Sequence, residues 1–447
     1  MDEMVKRIAR LLRSPGSRVL LVGGCVRDLL LGHEPKDFDL EVYGVSPDDL
    51  VSRLSAAGFG LDLVGKSFGV LKIKGTAIDL SIPRLENKSG TGHKGFEIHS
   101  DPSLSPAQAA LRRDFTINAI YQDPLTGEIL DFCRGKEDLE QRLLRPTSER
   151  FKEDPLRVLR AMQFLARFEL QPTDGLLAYS REMTMEGLPQ ERVYDEFRKF
   201  LLKGRNLKAG LDFLRDSTWI RFFPELAAMV GVPQDPEWHP EGDVFTHIGH
   251  CLNLFAGMRS GIDLDDLAVG FAVLLHDVAK PQTTAWIDGR WRSPGHEEQG
   301  RAPAEKFMRS LTREEALIPL IVELAAHHMI PTQLHQSGAK DAAVRRLAMR
   351  VGRLDLLCKV VICDKRGRPP LEFREVPEVA WLLEAASRLA IADRKPKPLL
   401  LGRHLLELGW RPGPAMGEVL KQVFEAQLDG QVTNLDEARE LAQRLGK

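Results

Sequence analysis

The chain is poor in the features that mark secreted, membrane-bound or wholly basic proteins. It has five cysteines in 447 residues and no C-x-x-C pair. That excludes a disulfide framework and a thiolate zinc site, and it points to a reducing compartment. No stretch reaches the roughly eighteen apolar residues that a membrane span needs. The amphipathic opening MDEMVKRIARLLRSPG has too short an apolar core for a signal peptide. A cytoplasmic protein with no membrane partner is therefore expected. A global excess of positive charge is missing too: 62 Lys and Arg face 64 Asp and Glu, a formal charge of −2. Any nucleic-acid surface must then be a local patch. Internal repeats and low-complexity tracts are absent.

What remains is ordinary globular composition, 43% hydrophobic and 28% charged, in a chain too long for one core. About two to four domains are expected. Strand-like runs at Val19–Val22, Phe38–Val42, Val70–Ile73, Ala77–Ile82 and Ile117–Tyr121 alternate with helical segments, which reads as an α/β head over residues 1–145. The segment RLENKSGTGHKGFEIHSDPSLSP, around 85–107, reads as a mobile loop. Helical periodicity then dominates almost without a strand. A helical neck and body over 146–232 ends near the Pro-rich break DPEWHPEGDV. A histidine-bearing helical region (233–375) and a small helical tail (376–447) follow.

The chemistry begins at VGGCVRDLLLGHEPKDFDLEVYGV. In a strand, residues i and i+2 share a face, so Asp37 and Asp39 point together. Paired carboxylates repel unless a cation sits between them, which suits a divalent metal; an acidic strand edge would read the same way. Upstream, Gly23 and Gly24 follow a buried strand and open a short helix, where backbone N–H groups approach an anion closely, with Arg27 in the first turn. Strand, phosphate nest, arginine and acidic pair are the parts of a phosphoryl-transfer site. Asp79, in TAIDLSIP, is a candidate third carboxylate. LRRDFTINAI adds Arg112, Arg113, Asp114 and Asn118, a cluster that suits a triphosphate. In LDFCRGKEDL, Asp131 and Gly135 read as a capped turn.

In EDPLRVLRA, Pro155 fits a helix's first turn, with Glu153 and Asp154 at its start. Asp154 and Arg157 are i, i+3 neighbours. A carboxylate accepts from an exocyclic amino group while an arginine donates to a ring acceptor, so the pair would select cytosine and adenine. Capping and an ordinary ion pair are the alternative. Taken in order, GGCVRD…DFD, RRDFTINA, DFCRG, EDPLRVLRA and ERVYDEF (with Glu191 and Arg192) resemble the bacterial CCA-adding enzymes, the class II tRNA nucleotidyltransferases that share a polymerase-β-like superfamily with poly(A) polymerase. The resemblance covers roughly residues 18–225. It implies a polymerase-β-like head, a helical neck, body and tail, Mg²⁺, CTP and ATP as substrates, and the tRNA 3′ end and acceptor arm as partner, in a monomer or dimer. It also implies nucleotide contacts at Gly23, Gly24 and Arg27, Mg²⁺ on the catalytic Asp37 and Asp39, triphosphate on Arg113, and a nucleotide pocket lined by Asp154, Arg157 and Arg160. Where many relatives carry another arginine, this chain has Gln163, which bears on nucleotide affinity or the balance of C and A addition.

The second half gathers His247 and His250 (FTHIGH), His276 and Asp277 (LLHDVAKP), His296, His327, His328, and Asp364 (VICDKRGR). Adjacent His-Asp with distant His and Asp partners suits one or two divalent metals in a helical bundle. The pattern resembles an HD-type metal phosphohydrolase and the HD-containing branch of the CCA-adding family. That implies metal (Ni²⁺, Mn²⁺, Co²⁺ or Mg²⁺) on His247, His276, Asp277 and Asp364, supported by His296 and His328, and phosphatase or 2′,3′-cyclic phosphodiesterase activity. CC-adding, A-adding and poly(A)-adding enzymes share the head motifs. An HD phosphohydrolase with a non-catalytic RNA-binding head is the rival from another class.

Overall fold

The structure is a computed structural model describing residues 3–62, 70–88, 96–371 and 375–446. It divides into two compact units, Met1–Phe200 with Ala209–Phe222, and Leu201–Lys208 with Phe223–Lys447.

The first unit is built on a seven-stranded sheet. Its elements are α1 (Glu3–Leu12), β1 (Arg18–Val22), α2 (Gly24–Leu30), β2 (Phe38–Tyr43), α3 (Pro47–Ala56), β3 (Leu61–Asp62), β4 (Val70–Ile73), β5 (Ile78–Ser81), β6 (Arg84–Lys88), β7 (Phe96–Ser100), α4 (Pro106–Ala110), β8 (Ile120–Gln122) and β9 (Ile129–Asp131). The strand order is β3-β4-β5-β2-β1-β8-β9, with β2 and β5 parallel and the other pairs antiparallel. β1 reads as an unbroken apolar run because both of its faces are covered. Val19 and Leu21 pack with Val5, Ile8 and Leu54 from α1 and α3. Leu20 and Val22 join a second core with Tyr43 and Tyr121. Helix α3 starts where Ser46 accepts the Asp49 N–H at 3.2 Å, with a proline at the first helical position.

After the sheet come α5 (Gly135–Glu140), a two-stranded parallel pair β10 (Leu143–Leu144) and β11 (Gln171–Pro172), α6 (Leu156–Phe168), α7 (Asp174–Glu182), α8 (Gln190–Lys203) and α9 (Leu207–Asp216).

The second unit is mainly helical. It runs through α10 (Pro224–Ala227), α11 (Val244–Ala256), α12 (Asp263–Leu275), α13 (Lys280–Thr283), the hairpin β12 (Ala285–Ile287) and β13 (Arg290–Arg292), and α14 (His296–Gln299). It continues with α15 (Arg301–Leu311), α16 (Leu317–Ala326), α17 (Ile330–Gln336), α18 (Asp341–Val351), α19 (Leu354–Arg366) and α20 (Pro377–Arg388). Three last helices, α21 (Gly402–Glu407), α22 (Pro414–Leu428) and α23 (Leu435–Leu445), close on a small core of their own around Leu405, Val423 and Ala442.

Four expectations need correction. The segment expected to be a loop around 85–107 contains two strands, β6 and β7, paired antiparallel; residues 89–95 lie outside the described residues. Its Gly, Ser and Lys content hid two short strands. The strand expected at Ile117–Tyr121 is a single 3-10 turn, Thr116–Asn118, followed by β8. The all-α second half carries the hairpin β12–β13, closed by Asp288 and Gly289, both at positive φ; an Asp-Gly dipeptide is the usual hairpin turn. Asp37 lies one residue before β2 rather than inside it.

The expected turn at Asp131 is present. Its carboxylate accepts the N–H groups of Gly135 and Lys136 at 2.8 and 2.9 Å. A Cβ on Gly135 would sit 2.1 Å from the Thr116 carbonyl oxygen, so no other residue fits there without moving backbone. Gly135→Ala is expected to destabilise the first unit by about 1–3 kcal/mol, the usual cost of overpacking, measured as a fall in urea midpoint at unchanged slope.

Candidate functional site

The parallel pairing of β2 with β5 sets Asp39 opposite Asp79 and Glu41 opposite Ser81. Asp39 and Glu41 share a face with period two and line a cleft of about 440 Å³ with Asp79, Arg112 and Arg113. Asp37 stands at the entrance of β2, close enough to act on Asp39 electrostatically. Asp39 still reaches solvent at the rim. Partial loss of water raises its pKa, as do Asp79 and Asp37, while Arg113 and Lys72 pull the other way. Lys72 sits 3.2 Å from Asp79. The cleft thus presents crowded carboxylates that a cation would relieve.

Arg113 faces them. Its Nη2 lies 3.4 Å from Glu41 and its Nε donates to the Tyr121 hydroxyl at 3.3 Å, while the Tyr43 hydroxyl donates to the other Glu41 oxygen. Burial works against the Arg113 charge, but Glu41 and Tyr121 hold it. Gly23 lies directly beneath, at φ +75°; a Cβ there would come within 3.3 Å of Arg113 Nη1 and 3.8 Å of Asp39 Oδ2. Gly24 packs against Arg27 in the same way, at 3.4 Å.

Arg27 itself is buried. Its Nε and Nη2 donate to Asp28 and its Nη1 donates to Asn118 at 2.7 Å, with the guanidinium 4.2 Å from the Phe168 ring centroid. Asn118 in turn donates to Asp114 at 3.0 Å, and Asp114 receives Arg160 through Nε and Nη2 at 2.9 and 2.6 Å. Burial raises the Asp114 pKa, yet Arg160, Asn118 and the Phe115 N–H together hold it below the usual carboxylate value.

Asp154 and Arg157 are joined through the backbone, the Arg157 N–H donating to the Asp154 carbonyl at 3.0 Å, while their side chains turn to other partners. The Asp154 carboxylate caps the Leu156 N–H at 3.0 Å and accepts Arg192 of α8 at 3.1 Å. Arg157 donates to the carbonyls of Arg150 and Arg112 at 2.6 and 2.8 Å. Gln163 is buried on α6 and its Oε1 has no hydrogen-bond partner; nor do Glu196 Oε2 and Arg192 Nη1 on α8. Glu191 is exposed at the start of α8.

The second site lies in the helical unit. His247 (α11) is 3.2 Å from Asp364 (α19) and 3.9 Å from Asp277. His276 is 3.4 Å from Asp277 and His296 is 3.2 Å from it. The His276 and His328 rings lie 4.9 Å apart, and those of His296 and His328 lie 5.4 Å apart. His276, His296 and His328 each direct Nδ1 to the carbonyl three residues earlier, at 2.7–2.9 Å. His276 Nε2 and His296 Nε2 are buried and face Asp277, itself buried, without a well-formed hydrogen bond. Imidazole nitrogens converging on two buried carboxylates fit a divalent metal, and His276, Asp277 and His328 form one ligand-spaced group. Lys280 and Arg368 contact Asp277 and Asp364 at 2.7 and 2.6 Å, supplying the positive charge there. His328 is pushed down to about 3, first by burial and then by its histidine neighbours, so it is neutral at physiological pH. Burial alone would strip His247 of its proton, but Cys251, Asp364 and Glu241 hold it well above the usual histidine value. His250 is half-buried on α11, and His327 bonds the Glu323 carbonyl at 2.9 Å.

Sequence reasoning did not single out Glu41, Glu241, Lys280 or Arg368. The Glu241 carboxylate accepts from His247 Nδ1 at 2.7 Å, orienting it. The signal was spacing: Glu41 is two residues beyond Asp39 on one strand face, while Lys280 and Arg368 lie one helical turn beyond Asp277 and Asp364.

Comparison with known proteins fits this geometry. Residues 19–145 match the poly A polymerase head domain, so the first unit contains a nucleotidyltransferase-type head. The chain is 36% identical to the multifunctional CCA protein of Acinetobacter baylyi, over 82% of this chain and 88% of that one. It is 34% identical to that of Stenotrophomonas maltophilia, over 94% of each. The chain belongs to the family of multifunctional CCA proteins. Its fold is that of the Bacillus stearothermophilus CCA-adding enzyme solved with CTP (TM-score 0.64, 20% identity, 99% of this chain and 96% of that one). The Thermotoga maritima CCA-adding enzyme solved with tRNA is similar too (TM-score 0.61, 19% identity, 100% and 95%).

The buried Asp114–Arg160 pair gives this site's first test. Asp114→Ala would leave Arg160 half-buried without its partner, and such a loss costs about 3–5 kcal/mol. The expected result is a matching drop in unfolding free energy, measured by urea titration.

Proposed function

We propose that the chain adds C, C and A, from CTP and ATP, to the 3′ end of tRNA without a template, and that its C-terminal half is a metal-dependent phosphohydrolase acting on 2′,3′-cyclic and terminal phosphates. One observation carries the reading. A carboxylate–arginine cleft in a poly A polymerase-type head and a separate buried His/Asp cluster occur in one chain, which is 34–36% identical over most of its length to multifunctional CCA proteins.

Residues 1–145 are assigned to the nucleotidyltransferase head, 146–232 to neck and body, 233–375 to an HD domain and 376–447 to the tail. In the head, Asp37 and Asp39 would hold Mg²⁺, with Asp79 beside Asp39 in register. Bound there, the ion would stabilise the attacking and leaving oxygens of an in-line displacement. The primer 3′-hydroxyl forms a bond to the α-phosphorus as the bond to the β-phosphate breaks and pyrophosphate leaves. Arg113 is placed to grip the triphosphate, and Gly23 lets the backbone come close. Asp154, Arg157 and Arg160 line the nucleotide pocket, with Arg27 acting through Asn118 and Asp114. Gln163 leaves an unused acceptor where a cation would otherwise sit, which favours weaker purchase on the nucleotide's negative charge.

In the HD site, His247, His276, Asp277 and Asp364 would hold the metal, with His296 and His328 beside the phosphate. A hard ion suits the carboxylates of the head, while the mixed imidazole and carboxylate set accepts a transition metal. When bound, that metal would activate water for attack on phosphorus.

The two assignments separate experimentally. Asp39→Ala is expected to abolish nucleotide addition to tRNAs ending before C, CC and CCA while 2′,3′-cyclic phosphodiesterase activity persists. Asp277→Ala should do the reverse. Near-normal addition by folded Asp39→Ala, or no phosphohydrolase activity in the wild type with Ni²⁺, Mn²⁺, Co²⁺ or Mg²⁺, would overturn the corresponding half.

Base selection supplies another prediction. Asp154→Ala should raise UTP and GTP incorporation relative to CTP and ATP by roughly 1–3 kcal/mol of discrimination, the magnitude of a bidentate base contact. Unchanged selectivity in single-turnover incorporation would mean that Asp154 serves only as the cap and Arg192 partner.

A further inference from the structure

The HD cluster opens into a cleft of about 400 Å³ whose outer wall is aromatic, lined by Trp238 and Trp291 as well as His296, His328 and Asp364. Three of the chain's six tryptophans gather here. Trp238 is 51% exposed and Trp286 is 61% exposed, a costly arrangement for side chains this large unless they meet something. The geometry is built rather than incidental. Trp291 is carried on β13 directly across from Trp286 on β12, with the rings 5.2 Å apart edge to face. The tight Asp288–Gly289 turn fixes the register of that hairpin. Trp238 sits on a turn capped by Asp235, which accepts the Glu237 N–H at 3.0 Å. Arg290 on β13 then reaches Glu237 at 2.9 Å, tying the two tryptophan-bearing segments together.

At its inner end the cleft offers cations and imidazoles, Lys280, Arg368, His296 and His328. The more exposed part of its lining includes the aromatic side chains of Trp238 and Trp291. A ligand that satisfies both is a phosphate ester bearing a planar base. The volume suits one nucleotide rather than a stack of several.

We propose that Trp238 and Trp291 hold the nucleobase of the HD site's substrate by stacking, so that the site selects nucleotides carrying a cyclic or terminal phosphate over phosphate esters without a base. Free nucleotides and the 3′-terminal nucleotide of an RNA share this chemistry. The inference rests on the phosphohydrolase reading for its catalytic consequence, but not for binding.

The test uses the full-length protein with Mn²⁺ or Ni²⁺. Its substrates are 2′,3′-cyclic AMP, an oligoribonucleotide ending in a 2′,3′-cyclic phosphate, and 2-glycerophosphate as the baseless ester. Trp291→Ala and Trp238→Ala are each expected to raise KM for the nucleotide substrates by roughly 5- to 100-fold, the range for loss of one stacking partner. Both kcat and 2-glycerophosphate hydrolysis should stay near wild type, and Trp291→Phe should restore most of the loss. The larger effect on the free nucleotide or on the RNA end identifies the source. Equal loss on 2-glycerophosphate, or no change in nucleotide KM in either variant, overturns the proposal. If the wild type hydrolyses none of these, the phosphohydrolase reading fails and tryptophan quenching by 2′,3′-cyclic AMP decides. Quenching that weakens in Trp291→Ala supports stacking, and no quenching refutes it. Because Trp238 and Trp291 lie on separate segments, failure of the hairpin to fold in one variant leaves the other informative.

Discussion

Asp114 has lost its water, and the way its charge is satisfied organises the first unit. Its two oxygens take Arg160 from α6, Asn118 from the turn before β8, and the Phe115 N–H. Asn118 passes the link to Arg27 on α2, whose guanidinium lies over Phe168 at the end of α6. A buried carboxylate left without partners is strongly destabilising. Sheet, glycine turn and neck helix must therefore meet in one arrangement for the network to close. The network fixes Arg160 on Asp114, while Glu41 and Tyr121 hold Arg113 at the cleft.

The two sites meet the problem of crowded charge differently. In the head, Asp39 remains at the rim, with Asp79 and Asp37 raising its pKa on top of partial desolvation. The crowding is only partly relieved by Lys72 and Arg113, so the cleft is poised to gain from an added cation. In the helical unit, burial would raise Asp277 and Asp364, yet Lys280, Arg368 and the histidines hold both well below the usual carboxylate value. Lysine, arginine and the His247 proton there occupy the electrostatic role of a metal. Binding a metal would accordingly compete with a proton and shift two ion pairs, so affinity should fall as pH falls.

Much of this was legible in the sequence because the relevant spacings are short. D-x-D before an apolar run, two glycines after a buried strand, and His-Asp beside helical residues all report local geometry that tertiary context did not override. What escaped was of two kinds. Partners brought from distant segments, such as Arg192 for Asp154 or Asn118 for Arg27, depend on packing that spacing does not encode. Short strands escaped for another reason: RLENK and AWIDGRWR have too little apolar alternation to compete with a loop reading, and the alternation of FEIHS is brief and set in a Gly-, Ser- and Lys-rich run. The Asp-Gly in the last of these was nonetheless a usable hairpin signal.

The histidine cluster shows how helix ends can prepare a candidate metal site from ordinary backbone. The last carbonyls of a helix have no intrahelical partner. His276 follows α12 and takes the Val273 carbonyl, while His328 follows α16 and takes the Ala325 carbonyl. His296 uses the Ser293 carbonyl in the loop before α14. A carbonyl only accepts, so each Nδ1 must carry the hydrogen, and in the neutral ring each Nε2 is then a bare lone pair. One backbone group settles both ring orientation and tautomer. His247 lacks such a carbonyl and relies on Glu241 instead, a carboxylate that serves whether or not the ring is protonated. Charge then separates the rings: against burial, Cys251, Asp364 and Glu241 hold His247 above the usual histidine value and Asp277 raises His296, while burial and the two neighbouring rings push His328 down.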